Sequence, residues 1–349
     1  MRRNTALLMM LFLMLYGCAT AVPTPNIEAT VQAAVVRTIT AAATQTAVPT
    51  PTPAFEENLR TLEEKLSSLC WIAYSPTHSD PDAGVSPSED DIRVDLQTLH
   101  GAGFGGLVTY GSESTFRHIP RIAREIGFQG VVMGVWSPTS TEEIASAREA
   151  VGYVDGYSVG NEGLFFGRYD FDTLKTAMDN LRATPGKPVA TTEVLNSYYS
   201  DAQVRELGDW AFPNVHPYWN GVKDPQQAVV WTQQQFDDLN ALYGESSKIV
   251  VFKEVGLPTA GDPELSEEGQ AEYYKLLRST DVKFFYFEAF DQPWKTSKPV
   301  EAYWGLFRSD RSPKPVVNYV CGKTSFYLPL LFKQPVAGSN FFLVASHRG

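Results

Sequence analysis

Between Trp71 and Tyr319, short β-branched and aromatic runs alternate with longer stretches of helical period. That alternation restricts the chain to folds in which parallel strands are joined by crossover helices. The strand candidates are Trp71 to Tyr74, Gly105 to Tyr110, Val131 to Trp136, Gly156 to Val159, Pro188 to Glu193, Trp210 to His216, Lys248 to Phe252 and Lys283 to Phe287. Helix starts fall between them. Ser86-Pro87-Ser88-Glu89 and Asp224-Pro225-Gln226-Gln227 each put a capping residue first, proline in the first turn and an acid or amide at the third position. Ile92, Leu96 and Leu99 then give the first of these helices its buried face. Eight such units in about 250 residues fit a single α/β domain, a (β/α)₈ TIM barrel. A doubly wound sheet is the competitor, but its glycine fingerprint is absent after the first strand. Gly101-Ala102-Gly103-Phe104-Gly105-Gly106 precedes a strand and reads as a helix-to-strand turn.

In a barrel of this kind chemistry gathers at the carboxyl ends of the strands. The sequence puts Tyr74, Tyr110, Trp136, Glu193, His216 and Tyr218 there, along with Asn161, Glu162, Glu254 and Glu288. Tyr157-Ser158-Val159-Gly160-Asn161-Glu162 and Lys248-Ile249-Val250-Val251-Phe252-Lys253-Glu254 are both apolar runs that deliver a glutamate where the chain turns out. Two strand-tip carboxylates, one protonated and one ionised, are what glycoside hydrolysis requires. By strict alternation Lys253 points to the opposite face from Glu254 and reads as structural.

Four segments carry a resemblance. Val159-Gly160-Asn161-Glu162, Glu254-Val255-Gly256-Leu257-Pro258-Thr259, Phe287 to Lys295 and Glu301 to Phe307 together resemble glycoside hydrolase family 17, the β-1,3-glucanases and related glucan transferases. Asn214-Val215-His216-Pro217-Tyr218-Trp219 resembles that family's sixth-strand segment. The resemblance implies a retaining enzyme with Glu162 as acid/base and Glu254 as nucleophile. Asn161 is then expected on the sugar 2-hydroxyl, and Tyr218 is expected to donate to Glu254. Tyr110, Glu193, His216, Glu288, Lys295 and Glu301 are expected to bind substrate, with Trp294 and Trp304 as stacking faces. Leu257 and Gln292 depart from the family pattern, where tryptophan and glutamate are usual. The expected activity is β-1,3-glucan hydrolysis by double displacement; the alternatives are a β-1,3-glucanosyltransferase and a non-catalytic glucan-binding surface protein.

The rest of the 349 residues concerns delivery. Met1-Arg2-Arg3 and the apolar run Ala6 to Tyr16 read as a signal peptide over 1–17, with Leu15-Tyr16-Gly17-Cys18 resembling a lipobox whose Cys18 accepts lipid. Residues 18–54, rich in Ala, Thr and Pro, bury too little apolar surface to order and read as a disordered tether. Phe55, Leu59, Leu62, Leu66 and Leu69 mark an amphipathic helix over 55–69 that packs on the barrel at 70–321. Residues 322–349 form a short extension. The expected location is the outer face of a membrane, as a monomer. Cys70 and Cys321 remain as an even pair in an oxidising compartment and are expected to form a disulfide at the amino-terminal face. The net charge of −11 argues against nucleic acid as a partner. His78, His100, His118, His216 and His347 share no ligand spacing, and no phosphate loop appears, so neither metal nor cofactor is expected.

Overall fold

A computed structural model describes residues 53–183, 186–244, 246 and 248–322. The expected leader, Cys18, almost all of the tether, the extension over 323–349 and His347 lie outside the described residues.

The expected amphipathic helix is α1, Pro53–Ser68. Seven strands follow: β1 (Trp71–Ala73), β2 (Gly106–Val108), β3 (Gly130–Val135), β4 (Gly156–Asn161), β5 (Val189–Thr192), β6 (Phe252–Val255) and β7 (Phe284–Tyr286). They form one curled, all-parallel sheet in the order β5-β4-β3-β2-β1-β7-β6. The main crossover helices are α2 (Glu89–Ala102), α3 (Ile119–Ile126), α4 (Thr141–Glu149), α5 (Phe171–Ala183), α8 (Pro225–Tyr243) and α9 (Glu267–Leu277). The short α6 (Leu195–Ser200) and α7 (Ala202–Glu206) lie after β5. Asp224 caps α8 through Gln227 N, as its sequence implies. In α2 the cap is Ser88 rather than Ser86: Ser88 and Asp91 exchange side-chain and backbone bonds, and Pro87 sits just outside.

The expected sixth strand, Trp210 to His216, differs. Pro213 has no N–H to give to a ladder, so the segment makes isolated parallel bridges: Ala211 to Val250, and Asn214 to both Val194 and Glu254. Because Val250 is engaged there, β6 starts at Phe252 instead of Lys248.

Period-2 alternation sorts the strand residues into two cores. Ile72, Leu107, Val131, Val189 and Phe252 face outward onto the helices. Trp71, Val108, Val132, Ala190, Phe212 and Phe285 face inward. At the amino-terminal ends this inner core is covered by α1, whose Leu62 and Leu66 join Trp71 and Trp210. Lys65 fastens the helix to Asp155 at 2.7 Å. The Trp71 ring occupies the space of two absent side chains: a Cβ on Gly106 or Gly130 would lie 2.3 Å from ring atoms. Cys70 and Cys321 are bridged at this end, with Cα atoms 5.4 Å apart.

Candidate active site

Near their tips, β4 and β6 each carry one extra residue. From Ser158 to Asn161 the chain advances three residues while β5 advances two, from Ala190 to Thr192. From Phe252 to Val255 it again advances three, against Phe284 to Tyr286 on β7. Such a bulge re-aims the side chains beyond it. Asn161 therefore pairs with inward-facing Thr192, and Glu254 joins Lys253 on the concave face of the sheet. The expectation that Lys253 lies on the opposite face from Glu254 is thereby corrected: its Nζ is 3.6 Å from Glu254 Oε1 and 2.6 Å from Asn161 Oδ1.

Beyond the bulge, Gly160 has φ 76° and a Cβ there would meet Tyr169 Oη at 2.0 Å, so this turn tolerates only glycine. Glu162 itself adopts φ 58°. Its Oε1 accepts from Asn214 Nδ2 at 2.8 Å. Burial, and then the negative charge of Glu254, raise its pKa above the usual glutamate range. Glu254 moves the other way. Burial opposes ionisation, but a hydrogen bond with His216 Nε2 at 3.2 Å and the charge of Lys253 outweigh it, and its pKa falls below the ordinary value. Two glutamates in one cleft are thus held in opposite protonation states over the pH range between them, the arrangement that separates a proton donor from an anion.

The cleft has a volume of about 1080 Å³. Its lining includes Tyr110, Asn161, Glu162, His216 and Glu254, with Trp294, Lys295 and Glu301 along one wall. These predicted residues are brought together. Tyr110 Oη, Asn214 Oδ1, His216 Nδ1 and Glu254 Oε1 are buried just under the cleft floor without a protein hydrogen bond.

Four predicted residues are placed elsewhere. The carboxylate of Glu193 is fully buried and accepts from Leu164 N and Phe165 N, which ties down the loop after Glu162. Tyr218 donates to Asp262 at 3.1 Å, so the expected bond to Glu254 is corrected, and His216 is the partner instead. Trp304 is fully buried edge-on beneath His216 and Phe287, 5.1 Å and 5.3 Å away, which removes it as a stacking face. Glu288 is buried under Lys295 at 2.7 Å, with burial pushing its pKa up to about 7.

Other aromatic residues line the cleft instead. Trp136 and Trp219, each 42% exposed, line the cleft, with Arg168 4.2 Å over the first and Lys298 4.0 Å over the second. Arg168 also donates to the Asn161 carbonyl. Phe165 and Phe166 extend the apolar lining beyond Glu162. Of these, Trp136 at the end of a predicted strand and Asn214 and Trp219 in the sixth-strand motif were visible signals. Leu257 is buried and donates its N–H toward Tyr286. Gln292 bridges Ser75 O and Trp294 Nε1, anchoring the loop after β7.

Residues 72–305 match the model of the BtgE/BtgC glycoside hydrolase domain, and the chain belongs to that family. The "Probable glucan endo-1,3-beta-glucosidase btgC" of Aspergillus fumigatus is 27% identical over 279 residues, 66% of this chain, and the match spans only 40% of that relative's length. The "Glucan 1,3-beta-glucosidase" of Arthroderma benhamiae is 27% identical over 66% of this chain and 85% of its own. An active-site mutant of Rhizomucor miehei β-1,3-glucanosyltransferase, solved with laminaritriose, superposes with a TM-score of 0.60 at 24% identity, over 73% of this chain and 98% of that one; at this identity the likeness speaks to the fold alone.

Proposed function

We propose that this chain is a retaining glycosidase acting on β-1,3-glucan, of the family 17 type, built on a ring that segment 211–215 closes into a (β/α)₈ barrel over 70–321. The observation that carries the reading is the pair of glutamates at two strand tips lining one cleft, Glu162 held by Asn214 and Glu254 between His216 and Lys253, surroundings that push their pKa values in opposite directions. Family membership supports the reaction class. The names of the relatives support the linkage.

In the first step the Glu162 carboxyl gives its proton to the glycosidic oxygen as the Glu254 carboxylate attacks the anomeric carbon; the aglycone leaves and a glycosyl ester forms. With the Glu254 charge consumed, the Glu162 pKa falls and its carboxylate takes a proton from water. The resulting hydroxide equivalent attacks the anomeric carbon and frees Glu254, so configuration is kept. The reading expects carboxyl groups about 5 to 5.5 Å apart. Asn161 presents its amide nitrogen to the 2-hydroxyl, since its oxygen is taken by Lys253. Trp136 and Trp219 supply the stacking faces.

The test is to incubate the purified domain with laminari-oligosaccharides, size the products and follow the anomers by proton NMR. Shorter products, β-anomer first, support the proposal; the α-anomer first, or no cleavage, overturns it. A second reading, glucanosyl transfer, is favoured by the exposed Phe165 and Phe166 beyond Glu162, which give an acceptor chain an apolar surface. Products longer than the substrate would select it. The same proposal places the domain at the outer face of a membrane, tethered by residues 18–54 to a lipid on Cys18. Cys18→Ser should move it to the soluble fraction, and unchanged membrane association would reject the anchor.

A further inference from the structure

The most unusual group in the inner core is a lysine. Lys253 is 1% exposed and points into the ring rather than out along it, so its ammonium cannot reach bulk water. A buried ammonium is costly unless its surroundings compensate it. Here the compensation comes from three strands. On β4, Asn161 Oδ1 accepts from Nζ at 2.6 Å. On β6 itself, Glu254 Oε1 lies at 3.6 Å. After β2, the face of the Tyr110 ring lies 4.3 Å away. A side chain needed only to fill space would be served by methionine or leucine at no electrostatic cost.

We propose that Lys253 is a positioning residue: its ammonium fixes the Asn161 amide with the nitrogen end toward the cleft and supplies the positive charge that faces Glu254 from beneath. Both halves follow from the contacts. An asparagine amide has a broad, two-fold torsion, so a donor on Oδ1 decides which end is offered outward. Asn214 Nδ2, at 3.4 Å from the same oxygen, adds to that choice. Around Glu254 the charged and titratable groups are Glu162 just past β4, Glu288 and Lys295 beyond β7, His216 on the bridging segment, Tyr110 and Lys253. Lys295 is committed to Glu288 at 2.7 Å. The buried carboxylate of Glu254 therefore depends first on His216 and Lys253 to remain an anion, with the charge of Lys295 adding a smaller share. This inference rests on the roles given to Glu162 and Glu254 above, and the test separates the two.

Lys253→Met keeps the length and removes both donor and charge. It should lower kcat/KM on laminari-oligosaccharides by about 100-fold or more, and move the acid limb of the pH–kcat/KM profile upward, because Glu254 then takes up its proton at higher pH. Combined with Asn161→Ala, it should cost clearly less than the product of the two single losses, because the positioning of Asn161 is lost only once. Lys253→Gln, which retains a donor for Asn161 without the charge, should recover part of the rate and keep the displaced limb. An unmoved limb, or losses that multiply, overturns the proposal. Carbon-13 NMR of labelled glutamate carboxyls, with Glu254 assigned by Glu254→Gln, reads the same charge effect without turnover. A higher titration point for Glu254 in Lys253→Gln or Lys253→Met supports the role, and an unchanged one overturns it. If the wild-type chain cleaves no β-glucan, the function fails while this measurement still decides Lys253.

Discussion

Leu62, Leu66, Trp71, Trp210 and Phe285 fill the amino-terminal ends of the strands, whereas Asn161, Lys253, Glu254 and Glu288 are buried at the carboxyl-terminal ends. The first region buries apolar surface, closes its ends with a disulfide and fits rings against bare glycines. The second buries charge and leaves polar atoms without protein partners. Burial of this second kind lowers stability unless a ligand completes it. The contrast teaches that stability and chemistry are held at opposite ends of one sheet, and each end can be perturbed separately.

The largest effects should come from the charged end. Glu254→Gln, which keeps an oxygen to face Lys253, should reduce turnover of laminari-oligosaccharides by at least about 1000-fold, with the melting temperature little changed. Glu162→Ala should spare the first step for aryl glycosides with good leaving groups, and azide should restore the second. A large fall in melting temperature in either variant would break the contrast. At the other end, Trp71→Ala should cost about 3–5 kcal/mol by denaturant titration, with kcat/KM at low temperature within a few-fold of the wild type. Replacing Cys70 and Cys321 together by serine should cost about 2–4 kcal/mol and leave the pH profile of activity alone. The smallest effect sharpens the comparison through pH. Glu288 has a folded pKa raised to about 7, so between the unfolded value and pH 7 the folded state binds the extra proton and stability falls as pH rises. Melting curves of Glu288→Gln should therefore gain on the wild type from pH 5 to pH 8; a constant difference would mean that Glu288 is ionised throughout.

The amino-terminal end was the more legible of the two. Alternation of Trp71, Ile72, Ala73 and of Val250, Val251, Phe252 is a local pattern, and the two cores follow it. The paired cysteines were equally plain. At the carboxyl end, the glutamates were readable because each closes an apolar run, but their neighbours were not. Bulges in β4 and β6 are properties of the pairing rather than of either sequence, and the one in β6 brought Glu254 to the side of Lys253, which keeps the inward parity of Val251. Tyr218 and Trp304 were aromatic residues at suitable positions, and nothing local told that one answers to Asp262 and the other lies under His216. Pro213 was legible in retrospect as the reason its segment pairs only at single points.

The Cys70–Cys321 link joins residues 251 apart and so turns nearly the whole described domain into a covalent loop. A single proteolytic cut anywhere between them leaves one molecule, not two fragments. Nicked in an exposed crossover such as residues 81–84, the protein becomes a circular permutant of itself, with new ends and the old ones still fastened. In an environment rich in secreted proteases, the damage that ends most enzymes would then be a change of topology, visible on a gel only after reduction.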